Sequence, residues 1–202
     1  MLAPNQVPVS KPAKIAIRFF RRPTFTYANL LSRAKDIAAA LHFLHFNCHD
    51  GATIIHRDLK PDNIGFTSNG DLKLFDFGLC TLVKRRTSGA DAYELTGHTG
   101  SLRYMAPEVA LHKPYTEKVD VYSYGIMVWE MARDRVPFQG MNKAEFTEKV
   151  VMKNERPKID KTWPRGFSNL LSSCWNPNPA LRPSFNQIIK EIDTLAAAAG
   201  GV

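Results

Sequence analysis

Two short stretches decide how this sequence is interpreted: Ile55-His-Arg-Asp-Leu-Lys-Pro-Asp-Asn63 and Asp76-Phe-Gly78. Between them lie two apolar runs, Asn63-Ile-Gly-Phe66 and Leu72-Lys-Leu-Phe75, which are separated by a polar segment containing Asn69-Gly70. Because Asn-Gly supplies the positive-φ positions that a tight turn requires, the pattern predicts a β-hairpin. A hairpin brings its two ends together, so we expect the polar groups on either side of it to meet.

Four polar side chains at the ends of this hairpin form a candidate site: Asp58, Lys60, Asn63 and Asp76. Mg²⁺ prefers a few oxygen ligands from the protein and shares its remaining positions with phosphate. A lysine can act beside it as a point charge against a phosphoryl group. The sequence therefore predicts a site for Mg²⁺ and phosphate, and the spacing disfavours the alternative of a solvated turn with incidental charges.

The rest of the chain is predicted to be mainly helical. Apolar residues recur every three or four positions over residues 30–44, and residues 119–132 are apolar nearly all round, which is typical of a buried central helix. A short helix is predicted over residues 167–175, and the capping box Ser184-Phe-Asn-Gln187 opens a last helix. The segment from Leu79 to Arg103 shows no apolar period and is predicted to be a long loop.

Composition excludes several classes of protein. The chain has 202 residues, 44% of them hydrophobic and 23% charged, which is enough apolar material for a folded core. It contains no uncharged apolar run long enough to span a membrane. Three widely spaced cysteines, Cys48, Cys80 and Cys174, suit neither a disulfide framework nor a four-ligand zinc site. A reducing, cytoplasmic location is therefore expected.

The basic charge is concentrated at one end of the chain. The net charge is +8, and residues 1–35 carry seven Lys and Arg but no Asp or Glu. The charge therefore gives no reason to expect nucleic-acid binding by the whole domain. We expect residues 1–25 to be a basic, proline-containing, disordered extension, residues 26–195 to be the domain, and residues 196–202 to be a flexible tail.

His56-Arg-Asp58, Asn63, Asp76-Phe-Gly78 and Ala106-Pro-Glu108 resemble, in the same order, the signature motifs of the protein kinase family. The resemblance runs from about residue 26 to residue 195 and corresponds to the C-terminal lobe of that fold. It implies a mainly α fold, a protein-kinase-like C-terminal lobe with a small β-hairpin at the catalytic loop.

The resemblance also indicates a substrate class. Lys60-Pro61 and Gly100-Ser101 resemble the serine/threonine version of the family. The sequence of residues 100–108, together with Cys174-Trp175 and Arg182-Pro-Ser-Phe185, is similar to the corresponding sequences of the tyrosine-kinase-like group of serine/threonine kinases. The implied partners are ATP, a protein substrate bearing Ser or Thr, and an upstream activating kinase, with no nucleic acid and no membrane span.

Carried over residue by residue, the resemblance implies three catalytic residues and a metal site. Asp58 would accept the proton of the substrate hydroxyl, and Lys60 would steady the γ-phosphate of ATP. Asn63 and Asp76 would hold Mg²⁺, and with Lys60 they would bind the cofactor. The resemblance also places Asn63 among the catalytic residues, together with Asp58 and Lys60.

Other residues receive supporting roles from the resemblance. Asp120 would brace the catalytic loop, and Glu108 and Arg182 would form a buried ion pair. Arg57 would meet a phosphorylated loop residue. The hydroxyls favoured for that phosphorylation are those of Thr96 and Thr99. Cys80, just beyond Gly78, is a candidate reactive thiol, although an inert cysteine is the favoured interpretation.

The sequence departs from the family pattern before His56. Gly51 is the only glycine there, so no Gly-rich loop is present, and no Val-Ala-Ile-Lys strand is found. One interpretation is a kinase whose N-terminal lobe is missing from this sequence. Another is a catalytically inactive pseudokinase, made of a C-terminal lobe only, that acts as an interaction or scaffold protein. A small-molecule phosphotransferase is disfavoured by Ala106-Pro-Glu108 with Arg182. Because the catalytic residues are intact, we favour a partial domain of an active kinase.

Overall fold

The computed structural model describes residues 26–85, 92–97 and 99–200, so the predicted extension over residues 1–25 lies outside the described residues. The helices are α1 (Tyr27–Phe46), α2 (Pro107–Ala110), α3 (Lys118–Arg133), α4 (Lys143–Phe146), α5 (Arg165–Cys174) and α6 (Phe185–Gly200). The strands are β1 (Ala52–Ile55), β2 (Ile64–Phe66), β3 (Leu72–Leu74) and β4 (Thr81–Lys84). The predicted mainly α architecture is confirmed. Within the described ranges, no helix is long and apolar enough to cross a membrane.

Helix α1 forms one wall of the core and begins where the sequence predicts. The side chain of Thr26 caps it by accepting a hydrogen bond from the backbone N–H of Asn29 at 3.2 Å. The predicted apolar face is buried and packs mainly against α6. The predicted face consists of Leu30, Ala34, Ile37, Ala38, Leu41 and Leu44, and Leu31 is buried beside it. Burial of each large aliphatic side chain contributes about 1.5–3 kcal/mol, so this face anchors the helix.

Helix α3 is the central helix that the sequence predicts, and its side chains are buried almost all round. Tyr124 ties it to α1 by donating its hydroxyl to the carbonyl of Ala34 at 3.0 Å. On another side, a Cβ at Gly125 would lie 2.7 Å from the Cβ of Cys174, so glycine permits the close approach of α5. The helix therefore provides a rigid support for the loops that pack on its N-terminal end.

The predicted hairpin is confirmed. Strands β2 and β3 pair antiparallel with Ile64 opposite Leu74, and Gly70 adopts φ 89° in the turn between them. The guanidinium of Arg33 donates to the carbonyl of Gly70 at 2.9 Å, which fastens the turn to α1. The two ends of the hairpin are thus held at a fixed place beside the core.

The prediction of an uninterrupted loop over residues 79–103 is wrong. Residues 81–84 form β4, which pairs antiparallel with β1 so that Ala52 faces Lys84 and Ile55 faces Thr81. Only Val83 is buried in β4, so the strand shows too little alternation to be recognised from its own residues. Its pairing depends on a partner distant in sequence. Residues 86–91 and 98 lie outside the described residues.

The last helix starts at the predicted capping box. The Ser184 N–H donates to Oε1 of Gln187 at 2.8 Å, and the Gln187 N–H donates to Oγ of Ser184 at 3.3 Å. Helix α6 continues to Gly200, past residue 195, where the predicted domain ends. Its buried residues, Phe185, Ile188 and Ile192, close the core against α1.

Candidate active site

The backbone of residues 56 and 57 is held by the carboxylate of Asp120, which is fully buried at the start of α3. Its two oxygens accept the N–H groups of His56 at 2.8 Å and Arg57 at 2.9 Å, and one of them also accepts Nε2 of His45 at 2.9 Å. Arg57 adopts the left-handed region at φ 66°, a conformation that needs such support. Burial raises the pKa of Asp120, but its bonds to His45 and His56 outweigh this effect and hold the pKa below its ordinary value.

Asp58 lies just beyond this support and is 6% exposed. One carboxylate oxygen accepts Nζ of Lys60 at 2.7 Å and Nδ2 of Asn63 at 3.2 Å, and the other accepts the N–H of Ser101 at 2.8 Å. Burial raises the pKa of Asp58, and the hydrogen bonds from Lys60 and Ser101 lower it by more, so the net pKa lies below the ordinary value. Asp58 is therefore an oriented carboxylate of low proton affinity at neutral pH.

Lys60 links the candidate catalytic loop, residues 56–63, to the segment that begins at residue 100. Its ammonium group donates both to Asp58 and to Oγ of Ser101, the latter at 3.0 Å. Gly100 makes this approach possible, because it adopts φ 98° and a Cβ there would lie 2.3 Å from the carbonyl oxygen of Arg57. Sequence reasoning missed this direct contact between residue 101 and Asp58, since no local pattern signals it.

Asp76 lies at the other end of the hairpin from Asn63. The N–H of Phe75 donates to the carbonyl of Asn63 at 2.9 Å, which brings residue 76 next to the catalytic loop. Asp76 itself is exposed, adopts φ 57°, and accepts only a long bond of 3.4 Å from Gly78 N–H among the described residues. The structure thus joins Asp58, Lys60 and Asn63 in one hydrogen-bonded cluster and leaves the Asp76 carboxylate beside it, without a direct bond to it.

The chemistry of Asn63 and Asp76 fits Mg²⁺. The Asn63 amide nitrogen donates to the carbonyl and the carboxylate of Asp58, at 2.8 Å and 3.2 Å. This leaves its Oδ1 oxygen without a donor among the described residues. An amide oxygen and an exposed carboxylate are the hard donors that Mg²⁺ selects. No cluster of three or more His, Cys, Asp or Glu suited to a metal occurs in the described part of the chain.

The side chain of Arg57 reaches the segment around residue 96. Its Nε donates to the carbonyl of Leu79 at 2.6 Å, and its Nη1 donates to Oγ1 of Thr96 at 3.1 Å and to the hydroxyl of Tyr115 at 3.2 Å. Oγ1 of Thr99 lies 3.1 Å from Oγ1 of Thr96. The structure therefore brings together the arginine and both hydroxyls that the sequence singles out, while their phosphorylation stays a prediction.

Cys80 packs behind the catalytic loop. Its Sγ donates to the carbonyl of His56 at 3.6 Å, and burial, with the nearby carboxylates of Asp120 and Asp76, raises the pKa of the thiol to about 12. A thiol with this pKa is almost entirely protonated at neutral pH, and the thiolate is the reactive form. The environment supports the interpretation of Cys80 as an inert cysteine.

The predicted ion pair between Glu108 and Arg182 is present. The guanidinium of Arg182 donates to both carboxylate oxygens of Glu108, at 2.6 Å and 3.0 Å. Arg182 is 2% exposed and lies 5.2 Å from the ring centre of Tyr122. This bidentate pair fixes the segment around residue 108 to the segment around residue 182, just before α6.

A cleft of about 830 Å³ opens directly beside Lys60 and Ser101. Its far wall is formed by the end of α3 and the residues that follow it, including Glu130, Phe138 and Met141. Both Lys60 and Ser101 also bond to the Asp58 carboxylate, so the cleft adjoins the hydrogen-bonded cluster around Asp58.

Comparison with known proteins gives the class of this chain. The protein kinase domain profile matches residues 13–192, which is most of the chain. The serine/threonine/tyrosine-protein kinase HT1 of Arabidopsis thaliana is 37% identical over 164 residues, covering 81% of this chain and 39% of that protein. The serine/threonine-protein kinase STY17 of the same plant is 37% identical over 176 residues, covering 87% of this chain and 29% of that protein.

A similar match occurs in an animal. Mitogen-activated protein kinase kinase kinase 7 of Drosophila melanogaster is 35% identical over 169 residues, covering 83% of this chain and 24% of that protein. The chain therefore belongs to the protein kinase family, and the family membership predicted from its motifs is confirmed. It spans less than two fifths of the length of each of these three relatives.

Proposed function

We propose that this chain carries the substrate-orienting and metal-binding part of a serine/threonine protein kinase that transfers the γ-phosphate of ATP to Ser and Thr hydroxyls of proteins. The observation that supports this most is the Asp58 carboxylate, which is fixed by Lys60, Asn63 and the backbone of Ser101, and two of these residues, Lys60 and Ser101, line the cleft. Phosphoryl transfer depends on positioning and charge stabilisation far more than on covalent chemistry by the protein.

The geometry suits Asp58 for orienting the acceptor hydroxyl. Because hydrogen bonds lower its pKa, Asp58 accepts a hydrogen bond from the hydroxyl and aligns its oxygen, and it takes the proton only late in the transfer. Lys60, already beside Asp58, provides positive charge for the oxygens of the transferred phosphoryl group. Asp58, Lys60 and Asn63 are thus proposed as the catalytic residues.

Asn63 and Asp76 are proposed to hold Mg²⁺, and with Lys60 to bind ATP. When bound, Mg²⁺ neutralises charge on the phosphate oxygens. The 202 residues contain no Gly-rich loop and no strand lysine before His56, so we expect the isolated chain to bind ATP weakly. We further propose that residues 26–195 are the C-lobe part of the kinase domain, with residues 1–25 and 196–202 flanking it, in a cytoplasmic protein controlled by an upstream kinase.

A second candidate function is that of an inactive, C-lobe-only interaction protein. The exposed apolar side chains of Phe77, Leu79 and Leu82, which are 48%, 38% and 56% exposed, favour it because they could contact a partner. Against it, loss of catalysis would remove any physical reason to keep the Asp58, Lys60 and Asn63 cluster intact.

The test uses the endogenous protein, immunoprecipitated from its source cells. Its intact mass is measured, and its phosphoryl transfer is assayed. Three peptides identical except for a single Ser, Thr or Tyr serve as acceptors with labelled ATP. We expect label on Ser and Thr, little on Tyr, and loss of transfer in the Asp58→Asn variant; Asp193→Asn, on the exposed face of α6, is the matched control. No transfer from a protein whose mass matches these 202 residues would favour the interaction protein.

A further inference from the structure

A second cavity continues the cleft beside the catalytic loop. It has a volume of about 640 Å³ and lies between the residues after α3 and the loop at residues 155–161. Arg135, Val136, Phe138, Gln139 and Met141 line both cavities. The two cavities therefore share one wall, and we call the pair the groove.

The far part of this groove differs in charge from the part near the catalytic loop. Five of its lining residues are basic and two are acidic: Arg133, Arg135, Arg156, Lys158 and Lys161 against Glu155 and Asp160. Arg133 and Asp160 neutralise each other through an ion pair of 2.5 Å. The near part, by contrast, has three acidic and three basic lining residues and is balanced.

Three of the cations on this rim are available to a ligand. Arg135, Lys158 and Lys161 are exposed, and none of their side chains has a hydrogen bond or ion pair within the described part of the chain. Beyond residue 35 the whole sequence holds 20 basic and 19 acidic residues, so this rim is a local feature and does not reflect a uniformly basic surface. Its charge is therefore a property of the groove itself.

The floor of the groove is apolar and firmly held. Trp129 and Phe138 are nearly buried, and Met141 is partly exposed. The indole N–H of Trp129 donates to the carbonyl of Lys158 at 3.0 Å, which ties the basic loop to α3. Arg103 donates to the carbonyls of residues 137 and 138, at 3.0 Å and 2.8 Å, and fixes the wall shared by the two cavities.

We propose that this groove binds an acidic segment of the protein substrate, at a distance from the hydroxyl that is phosphorylated. An extended peptide can place apolar side chains on the floor and carboxylates against Arg135, Lys158 and Lys161. The proposal rests on the proposed kinase function for its biological meaning, but the binding it describes is independent of ATP. It adds a specificity determinant outside the residues that carry out the transfer.

The test is direct binding of two labelled peptides to the full chain, measured by fluorescence anisotropy without nucleotide. One peptide carries a run of Glu next to apolar residues, and the other carries Gln at the same positions. A single exposed ion pair changes affinity by about 1.4- to 5-fold, so three pairs should make the Glu peptide bind about tenfold more tightly, with the difference shrinking as salt is added.

The variant Lys158→Glu/Lys161→Glu should abolish this preference. Lys113→Glu/Lys190→Glu makes the same change in net charge at exposed positions outside the groove, and should keep the preference within about twofold. Unchanged melting temperatures verify that both variants are folded. Asp58→Asn should bind the Glu peptide normally even though we expect it to lose transfer, which separates failure of this proposal from failure of the kinase assignment.

Three results would overturn the proposal. Equal binding of the Glu and Gln peptides would show that the groove does not select acidic segments. Equal weakening in both double variants would show a general charge effect. A single-stranded oligonucleotide could also bind more tightly than the Glu peptide and lose this binding in the Lys158→Glu/Lys161→Glu variant. That result would identify the groove as a nucleic-acid site.

Discussion

Replacing Asp120 with alanine should destabilise the domain more than any change on its surface. The substitution leaves two backbone N–H groups and the His45 ring without the acceptor that they share. Each unsatisfied buried donor costs about 1–3 kcal/mol, so loss of the acceptor for three donors should lower the free energy of unfolding by about 3–9 kcal/mol. The free energy of unfolding of an ordinary domain is roughly 5–15 kcal/mol, so this loss is a large fraction of it.

The assay is urea unfolding of the full chain, followed by circular dichroism and by tryptophan fluorescence. Asp193→Ala is the matched control, because Asp193 forms an ion pair of 2.5 Å with Lys35 in which both side chains are about half exposed. Such a pair contributes less than about 1 kcal/mol. A loss for Asp120→Ala no larger than that for Asp193→Ala would refute the claim that Asp120 supports the catalytic loop.

The pH dependence gives a second readout of Asp120. Its pKa lies below the ordinary value of 3.8, so ionisation stabilises the folded state above that pH. The stabilisation is lost as the pH falls through the lower pKa of the folded protein. Between pH 5 and pH 2, wild type should therefore lose more stability than Asp120→Asn, which has no carboxyl group at this position.

Three further predictions concern the rest of the site. Glu108→Gln leaves the buried guanidinium of Arg182 without its counter-charge and should lower the free energy of unfolding in urea by about 3–5 kcal/mol. A loss below about 1 kcal/mol would contradict the structural importance of the pair. Gly100→Ala places a Cβ 2.3 Å from a backbone oxygen and should lower the melting temperature by several degrees, whereas an unchanged value would show that the close approach is not required. Iodoacetamide at pH 7.5 should modify exposed Cys48 first, because burial raises the pKa of Cys80 to about 12; peptide mass mapping that finds Cys80 modified first would disprove this.

Local patterns were sufficient for the elements whose signal lies within a single segment. Helix α1 has a threonine cap and a continuous apolar face, and the hairpin has Asn69-Gly70 between two short apolar runs. Both occur where the sequence predicts them. The ion pair of Glu108 with Arg182, by contrast, was predicted only through the family resemblance, because the two residues lie far apart in sequence.

The parts that sequence reasoning missed depend on contacts between distant segments. Strand β4 pairs with β1 across the whole hairpin and has one buried residue, so nothing in residues 81–84 distinguishes it from a loop. The bond from Ser101 to Asp58 depends on Gly100 adopting a positive φ, which the residue type permits but does not require. The sequence thus predicts which groups form the candidate site, and tertiary packing decides how Asp58 is held.

Asp58, Asn63 and Asp76 are proposed to belong to one site for a metal nucleotide, and this claim can be tested directly. The most direct measurement is nuclear magnetic resonance of the ¹⁵N-labelled chain with millimolar ATP and a trace of Mn²⁺, which broadens the signals of nearby nuclei even when binding is weak. We predict that the side-chain amide of Asn63 and the backbone amide of Gly78 broaden first, and that Asp76→Asn suppresses the effect. Broadening that spares Asn63 and Gly78 while it affects backbone amides beside exposed carboxylates elsewhere, such as that of Glu148, would contradict the claim.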